Sequence, residues 1–287
     1  MTTVVVVGSS GMLGHALVDA LGDHDLRALT RAEADLTNKA TLEQVIPERA
    51  VVINAAAYTD VDGAETHRDD AFAVNAEGVR HLAEVVKARE GRLIHVSTDY
   101  VFDGTATTPY SEDSPRNPTS AYGASKARGE EYVQEILPDS GIIARTAWLY
   151  GLPGSSFART ILTLGKTRES LDVVTDQIGQ PTSTLDVARM ITALVQSDIR
   201  SGVFHATNSG NASWFDFAQR LFSLAGWDPK RITPVTSEAF PRPASRPAWS
   251  VLGHEAWTAH GLPAPRNWRD ALDEAWGSGF HDLALES

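Results

Sequence analysis

Cysteine is absent from the chain, which excludes disulfides, thiolate metal sites and a cysteine nucleophile. No apolar run approaches the roughly 18 residues that cross a membrane, so no membrane association is expected. Met1-Thr2-Thr3 leads straight into Val4–Val7, without a basic segment or a long apolar stretch, and reads as no signal peptide. A cytoplasmic protein is the expectation. Basic residues are the minority: 25 Lys+Arg against 37 Asp+Glu leave a net charge of −12, and no Lys/Arg run breaks it. Such a surface repels nucleic acid, which is not expected as a partner. Internal repeats and low-complexity tracts are missing as well. The nine histidines show no metal-ligand spacing, so no metal is expected. What is present is ordinary globular composition, 42% hydrophobic and 22% charged over 287 residues. That length supports one large domain or two smaller ones.

The first 150 residues alternate short apolar runs with helical patterns. Val4–Val7 is a run of β-branched residues ended by Gly8, the pattern of a strand buried on both faces. Leu13, Ala16, Leu17, Ala20 and Leu21 follow at helical spacing. Leu26–Leu29, Val51–Ile53, Leu93–Val96 and Ile142–Ala144 read as further strands. Helices are expected around Val79–Val86 and from Tyr122 to about Ile136. Strand–helix alternation of this kind predicts an α/β fold, a doubly wound parallel sheet covered by helices on both faces. After Gly151 proline becomes denser, and six of the seven tryptophans lie beyond residue 200. The expected division is a dinucleotide-binding domain over 1–150, with 184–207 returning to it, and a smaller mixed α/β substrate lobe over 151–183 and 208–287.

Gly8-Ser9-Ser10-Gly11-Met12-Leu13-Gly14 joins the first strand to the first helix. Gly8 permits the tight turn, Gly11 lets backbone approach a pyrophosphate, and Gly14 lets the helix pack close to the strand. The helix then presents free N–H groups and a positive dipole end to the phosphates. The spacing is one residue longer than G-x-G-x-x-G, but the strand before and the helix after supply the required context. About 20 residues on, where a carboxylate selects NAD, the chain has Thr30-Arg31. Arg31 is therefore expected on a 2′-phosphate, making NADPH the expected cofactor and NADH a poorer one.

Ser97-Thr98-Asp99 closes the fourth strand at the sheet end where chemistry belongs. Tyr122 and Lys126 lie four apart, on one face of a helix. An ammonium about 4 Å from a phenol, at an effective dielectric near 20, lowers the phenol by on the order of 3 pH units. Tyr122 is thus expected to be acidified toward cellular pH and to exchange a proton with a carbonyl or alcohol oxygen. Thr98 is expected to donate a second hydrogen bond to that oxygen. His95, in a buried strand pattern, reads as a satisfied core residue.

Together these residues resemble the extended short-chain dehydrogenase/reductase superfamily, a Rossmann-sheet group. Further segments narrow the likeness: Asn54-Ala55-Ala56-Ala57-Tyr58-Thr59-Asp60-Val61-Asp62, Val74-Asn75-Ala76, Ser97–Gly104, Arg145–Gly151, Asp176–Thr182 and Arg246–Leu252. They resemble the dTDP-4-dehydrorhamnose reductase family over almost the whole chain. The resemblance implies hydride transfer from NADPH to the C4 carbonyl of a dTDP-4-dehydro-6-deoxyhexose, dTDP-4-dehydro-L-rhamnose first. It implies that Tyr122 supplies the proton, Lys126 tunes it and holds the nicotinamide ribose, and Thr98 orients the keto oxygen. Asp99 and Trp148 fall at positions that contact the sugar. Gly11, Met12 and Leu13 fall at the pyrophosphate, Asp35 and Leu36 by the adenine, and Ala55, Ala56 and Ala57 along the cofactor.

A sugar nucleotide also needs a local cation on this acidic protein, and Arg242 and Arg246 in the proline-rich stretch are the candidates. Two departures stand out. Some family members bind Mg²⁺ through an acidic residue where this chain has Ala16, so no such metal is expected and the assembly stays open between monomer and homodimer. Trp249 stands where the family often carries Asn. Two other functions compete: a dehydratase or epimerase of the same superfamily, and a non-catalytic regulatory subunit like that of methionine adenosyltransferase. Tyr100, where dehydratases place Glu, disfavours elimination. Intact Thr98, Tyr122 and Lys126 favour catalysis.

Overall fold

The computed structural model describes residues 2–285. Its centre is a six-stranded parallel sheet built from β1 (Val4–Val7), β2 (Leu26–Leu29), β3 (Val51–Asn54), β4 (Arg92–Thr98), β5 (Gly141–Thr146) and a last strand, Gly202–His205. The spatial order is Gly202–His205, β5, β4, β3, β1, β2. β-Branched side chains fit this doubly covered sheet because alternate residues find separate cores. Val4 and Val6 pack with the first helix, α1 (Met12–Ala20), and with the Thr184–Gln196 helix. Val5 and Val7 face the opposite way, toward Leu42, Leu82 and Val86. Each such buried valine stabilises the fold by about 1.5–3 kcal/mol before conformational entropy is set against it.

Chain order reverses between β1 and β3, and in doubly wound sheets ligands bind at that switch point, beyond the carboxyl ends of the strands. The glycine turn leaves β1 there and Asn54–Ala57 leaves β3 beside it. Thr98 ends β4, and the helix Ala121–Ile136, hereafter the Tyr122 helix, starts nearby with Ser120 accepting from the Gly123 amide as its cap.

Above these strand ends lies a second body of packing. The helices Phe157–Gly165, Trp214–Leu224 and Trp268–Ala275 enclose Tyr150, Phe217, Phe222 and Trp268. Leu171–Val174 pairs in parallel with Ile232–Val235. None of these three helices was anticipated from sequence. The Trp214 helix opens on a reciprocal cap in which Ser213 and Asp216 satisfy each other's backbone amides. The signal was in the sequence, with Asp in place of the commoner Glu.

Candidate active site

The glycine turn fits a pyrophosphate on its own geometry. Gly8 has φ +85°, and a Cβ there would lie 2.6 Å from the Ala56 nitrogen. A Cβ on Gly14 would lie 2.2 Å from the Gly8 carbonyl oxygen. Both positions therefore need glycine for the fold itself. Gly11 is different, since its Cβ would meet only the Gly8 oxygen, at 3.3 Å. It is the N-cap of α1 and offers the first amides no side chain, so the Met12, Leu13 and Gly14 N–H groups are left for a ligand. Ala55, Ala56 and Ala57 run past this turn, with the Ala55 amide donating to the Val7 carbonyl and the Ala56 amide to Asn54 Oδ1.

Arg31 stands at the exit of β2 with its side chain 83% exposed, 3.8 Å from Asp35. Glu33 turns back onto Thr30, accepting from its amide and hydroxyl, and Asp35 does the same with Thr37. Those local bonds hold both carboxyls below the usual carboxylate range. Glu33 is thereby spent on the turn, and Arg31 at the strand end is left paired only loosely, with Asp35. Leu36 is buried and its carbonyl accepts from His81.

The catalytic candidates converge beyond β4. Tyr122 lies near enough to the Thr98 hydroxyl to be influenced by it, and meets the Tyr100 ring edge-on at 5.7 Å. Asn75 links the β3 loop to the same helix, accepting from the Tyr58 amide and donating to Ser125 Oγ. The expected acidification of the phenol is not what the protein alone produces. Burial pushes Tyr122 up to about 12, Asp99 adds to the rise, and the Thr98 hydroxyl opposes it. The reason is where Lys126 points: its Nζ donates to the Val96 carbonyl at 2.7 Å and lies 3.5 Å from His95 Nε2. Burial in turn lowers Lys126 to about 8, against the pull of Glu130.

Thr98 also differs from expectation. Its hydroxyl donates to Asp99 Oδ1 at 2.9 Å and accepts from the Tyr100 amide, so no proton is left pointing at a substrate oxygen. Asp99 is buried, and burial raises its carboxyl to about 6 against opposing contributions from Ser250 and Thr98. The Ser250 hydroxyl is near enough to oppose that rise but makes no hydrogen bond, and Asp99 Oδ2 is likewise unpartnered.

Trp148 has φ +44°, a left-handed backbone that a bulky residue rarely adopts. Its indole stacks on Trp214 at 3.5 Å between centroids and 6° between planes. Gly179 makes room for it, since a Cβ there would lie 2.5 Å from the indole. Trp214 Nε1 donates to Gln177 Oε1, and Gln177 Nε2 donates to Ser237 Oγ. Across the mouth, Arg246 and Arg242 both reach Asp62, at 2.9 and 3.6 Å. Arg246 also lies over the Tyr100 ring, 5.9 Å from its centroid. Trp214, Gln177 and Asp62 carried no role in the sequence reading. Trp214 had no signal beyond its cap, because a long-range stack leaves no local spacing.

Among the described residues no group of His, Cys, Asp or Glu is placed to hold a metal ion, and no helix is long and apolar enough to cross a membrane.

The comparisons with known proteins agree along the whole chain. The profile of the RmlD substrate binding domain matches residues 1–278. A dTDP-4-keto-6-deoxy-D-glucose reductase of Streptomyces niveus is 44% identical over 95% of this chain and 96% of its own. A dTDP-4-dehydrorhamnose reductase of Mycobacterium tuberculosis H37Rv is 42% identical over 99% of this chain and 95% of its own. The crystal structure of a dTDP-4-dehydrorhamnose reductase from Bacillus anthracis, in complex with NADP, superposes with a TM-score of 0.92 at 36% identity, covering 97% of this chain and 100% of that one. A likeness of that extent, laid over a glycine turn, a Thr-Asp strand end and a Tyr-x-x-x-Lys helix, makes this chain a member of the dTDP-4-dehydrorhamnose reductase (RmlD) family.

Proposed function

We propose that the protein reduces the 4-keto group of a dTDP-4-keto-6-deoxyhexose with NADPH, and that dTDP-4-dehydro-L-rhamnose is the substrate it turns over best. The observation that carries this reading is the convergence of Thr98, Tyr122 and Lys126 around the end of β4, on the side of the sheet that carries a turn fitted to a pyrophosphate. NADPH supplies the hydride. Tyr122 supplies the proton to the C4 oxygen; a phenol raised by burial is fully protonated when substrate arrives, which suits a donor. Lys126 leaves the Val96 carbonyl for the ribose and the phenol, and the tyrosinate left after proton transfer is then faced by an ammonium. Thr98 orients the keto oxygen with Tyr122 once its hydroxyl turns from Asp99, which accepts its proton in the empty site. Arg31 takes the 2′-phosphate, and Asp35 and Leu36 lie by the adenine.

The stacked Trp148 and Trp214 form an apolar wall for the sugar, and Arg242 and Arg246 exchange Asp62 for the diphosphate. The assigned halves are 1–150 with 184–207 for the cofactor and the remainder for the sugar nucleotide. The same reading puts the enzyme in the cytoplasm, as a monomer or homodimer. The test is NADPH oxidation against a panel of dTDP-4-keto sugars, with products identified by NMR. Turnover of none of them would reject the activity, and turnover confined to a different sugar would reject the rhamnose assignment alone.

A further inference from the structure

Behind Lys126 lies a buried chain of polar groups that the reaction as described does not use. Asn54, His95 and Lys126 are 0%, 0% and 2% exposed. Asn54 Oδ1 accepts from the Ala56 amide at 3.1 Å, which fixes the orientation of the side-chain amide. The atom it turns toward His95 Nδ1, 3.1 Å away, is therefore its NH₂, a donor. His95 Nδ1 must accept and carries no proton. Among the described residues no carboxylate pairs with this imidazole, and burial with the nearby Lys126 holds it well below its usual range, so it is neutral. Its one proton then sits on Nε2, the nitrogen that faces Lys126 Nζ at 3.5 Å.

An N–H aimed at an ammonium is repelled, while the same N–H aimed at an amine finds a lone pair. The rest of the surroundings point the same way. A buried ammonium has three donors to satisfy. Among the described residues its single acceptor is the Val96 carbonyl. Glu130, one turn along the Tyr122 helix, favours the charged form, but its carboxylate is engaged by Arg145 from β5 and by Arg116. Asp99, at the end of β4, lies by Tyr122 and acts on that phenol.

We propose that His95 is a positioning residue which, through its Nε2–H, holds Lys126 against β4 and favours its neutral amine over its ammonium until the cofactor draws the side chain away. Lys126 is then freed from the imidazole N–H as it moves to the ribose, and the fraction present as amine takes its proton from solvent. The proposal rests on the assignment of Lys126 to the cofactor side, but its measurement is made on the cofactor-free protein and does not depend on the activity.

The experiment is NMR on the purified full chain. Proton-coupled ¹⁵N spectra of histidine report the tautomer of His95, and ¹³Cε of the five lysines, with Lys126→Arg for assignment, reports the titration of Lys126. The expected results are an Nε2–H tautomer and a Lys126 that titrates near 8. His95→Asn keeps a group opposite Asn54 and loses the one opposite Lys126. It is expected to raise the proton affinity of Lys126 by about tenfold, the effect of one hydrogen bond. His95→Gln places an amide N–H where Nε2 was and is expected to stay within about twofold of the natural protein. An Nδ1–H tautomer overturns the proposal, as does a wild-type Lys126 titrating above 10, or equal shifts in the two variants. The wild-type measurements decide the matter even where a variant fails to fold.

Discussion

Asp99→Asn separates what the site needs from what the fold prefers. Asp99 is 2% exposed and burial lifts its carboxyl from an ordinary 3.8 to about 6. Because the folded state holds this proton more tightly than the unfolded chain, stability is full below about 4 and falls as pH rises through 6. At about 1.36 kcal/mol per pH unit, the ionised carboxylate costs the folded protein on the order of 2–3 kcal/mol at pH 7.5. Asparagine keeps the acceptor for the Thr98 hydroxyl and removes the charge. The variant is expected to be more stable at pH 7.5, by roughly 5 °C in the unfolding midpoint for a chain of this size. The gain should shrink toward pH 5 and vanish near 4. Turnover should fall, since the carboxylate that anchors Thr98 beside Tyr122 becomes a weaker neutral acceptor. The assay is a pair of thermal unfolding series from pH 4 to 8, with steady-state kinetics at pH 7.5. A variant less stable than the natural protein at pH 7.5, or a difference that does not depend on pH, would refute the reasoning.

Tyr122→Phe removes the proton donor and is expected to lower kcat by about 10²–10⁴-fold, with NADPH affinity measured by fluorescence nearly unchanged; a few-fold loss would reject the donor role. Arg31→Ala is expected to weaken NADPH by about tenfold, as for loss of one charge-assisted bond, and to leave NADH unaffected. Equal effects on both cofactors in a binding titration would remove Arg31 from the 2′-phosphate. Trp214→Ala deletes the ring on which Trp148 stacks, worth about 0.5–1.5 kcal/mol beyond burial, and frees a strained backbone. KM for the sugar nucleotide should rise about three- to tenfold with kcat little changed, and a fall in kcat at constant KM would show that the pair does not form the sugar wall.

The strands and the glycine turn were legible because their causes are local. Val4–Val7 can pack only where both faces are covered, and Gly8 and Gly14 sit where any side chain collides with backbone. Tyr122 and Lys126 were legible for the same reason, since a helix fixes residues four apart on one face. Their electrostatics were not. The expected acid phenol assumed that the ammonium faces it, whereas β4 supplies a carbonyl and an imidazole that hold Lys126 elsewhere, and burial then decides the outcome. His95 illustrates the limit in reverse. It was read as a satisfied core residue, and it is buried and bonded, yet its second nitrogen faces the lysine. Which partner a strand residue meets across a sheet is set by register, here Asn54 opposite His95, and register is invisible to a pattern read along one strand.

The charge of the protein poses a harder question, since a surface of −12 has to admit two ligands that carry phosphates. The structure answers by placing its cations in pairs that are easily exchanged. Arg31 rests 3.8 Å from Asp35, and Arg242 and Arg246 rest on Asp62. These carboxylates keep the guanidinium groups ordered and suppress their attraction for stray anions. They do not hold the exposed Arg31 and Arg242 firmly, because exposed ion pairs contribute at most about 1 kcal/mol, while the half-buried Arg246 is held more closely, at 2.9 Å. A phosphate bound by arginine in a closed cleft gains about 1.5–3 kcal/mol per hydrogen bond, so the exchange runs toward the ligand. The end of α1 proposed for the pyrophosphate differs: among the described residues no side chain caps it and its first turn holds no acidic residue, so its partial charge comes from backbone alone. On this argument α1 supplies a fixed attraction for the cofactor, and the arginines decide which nucleotide stays.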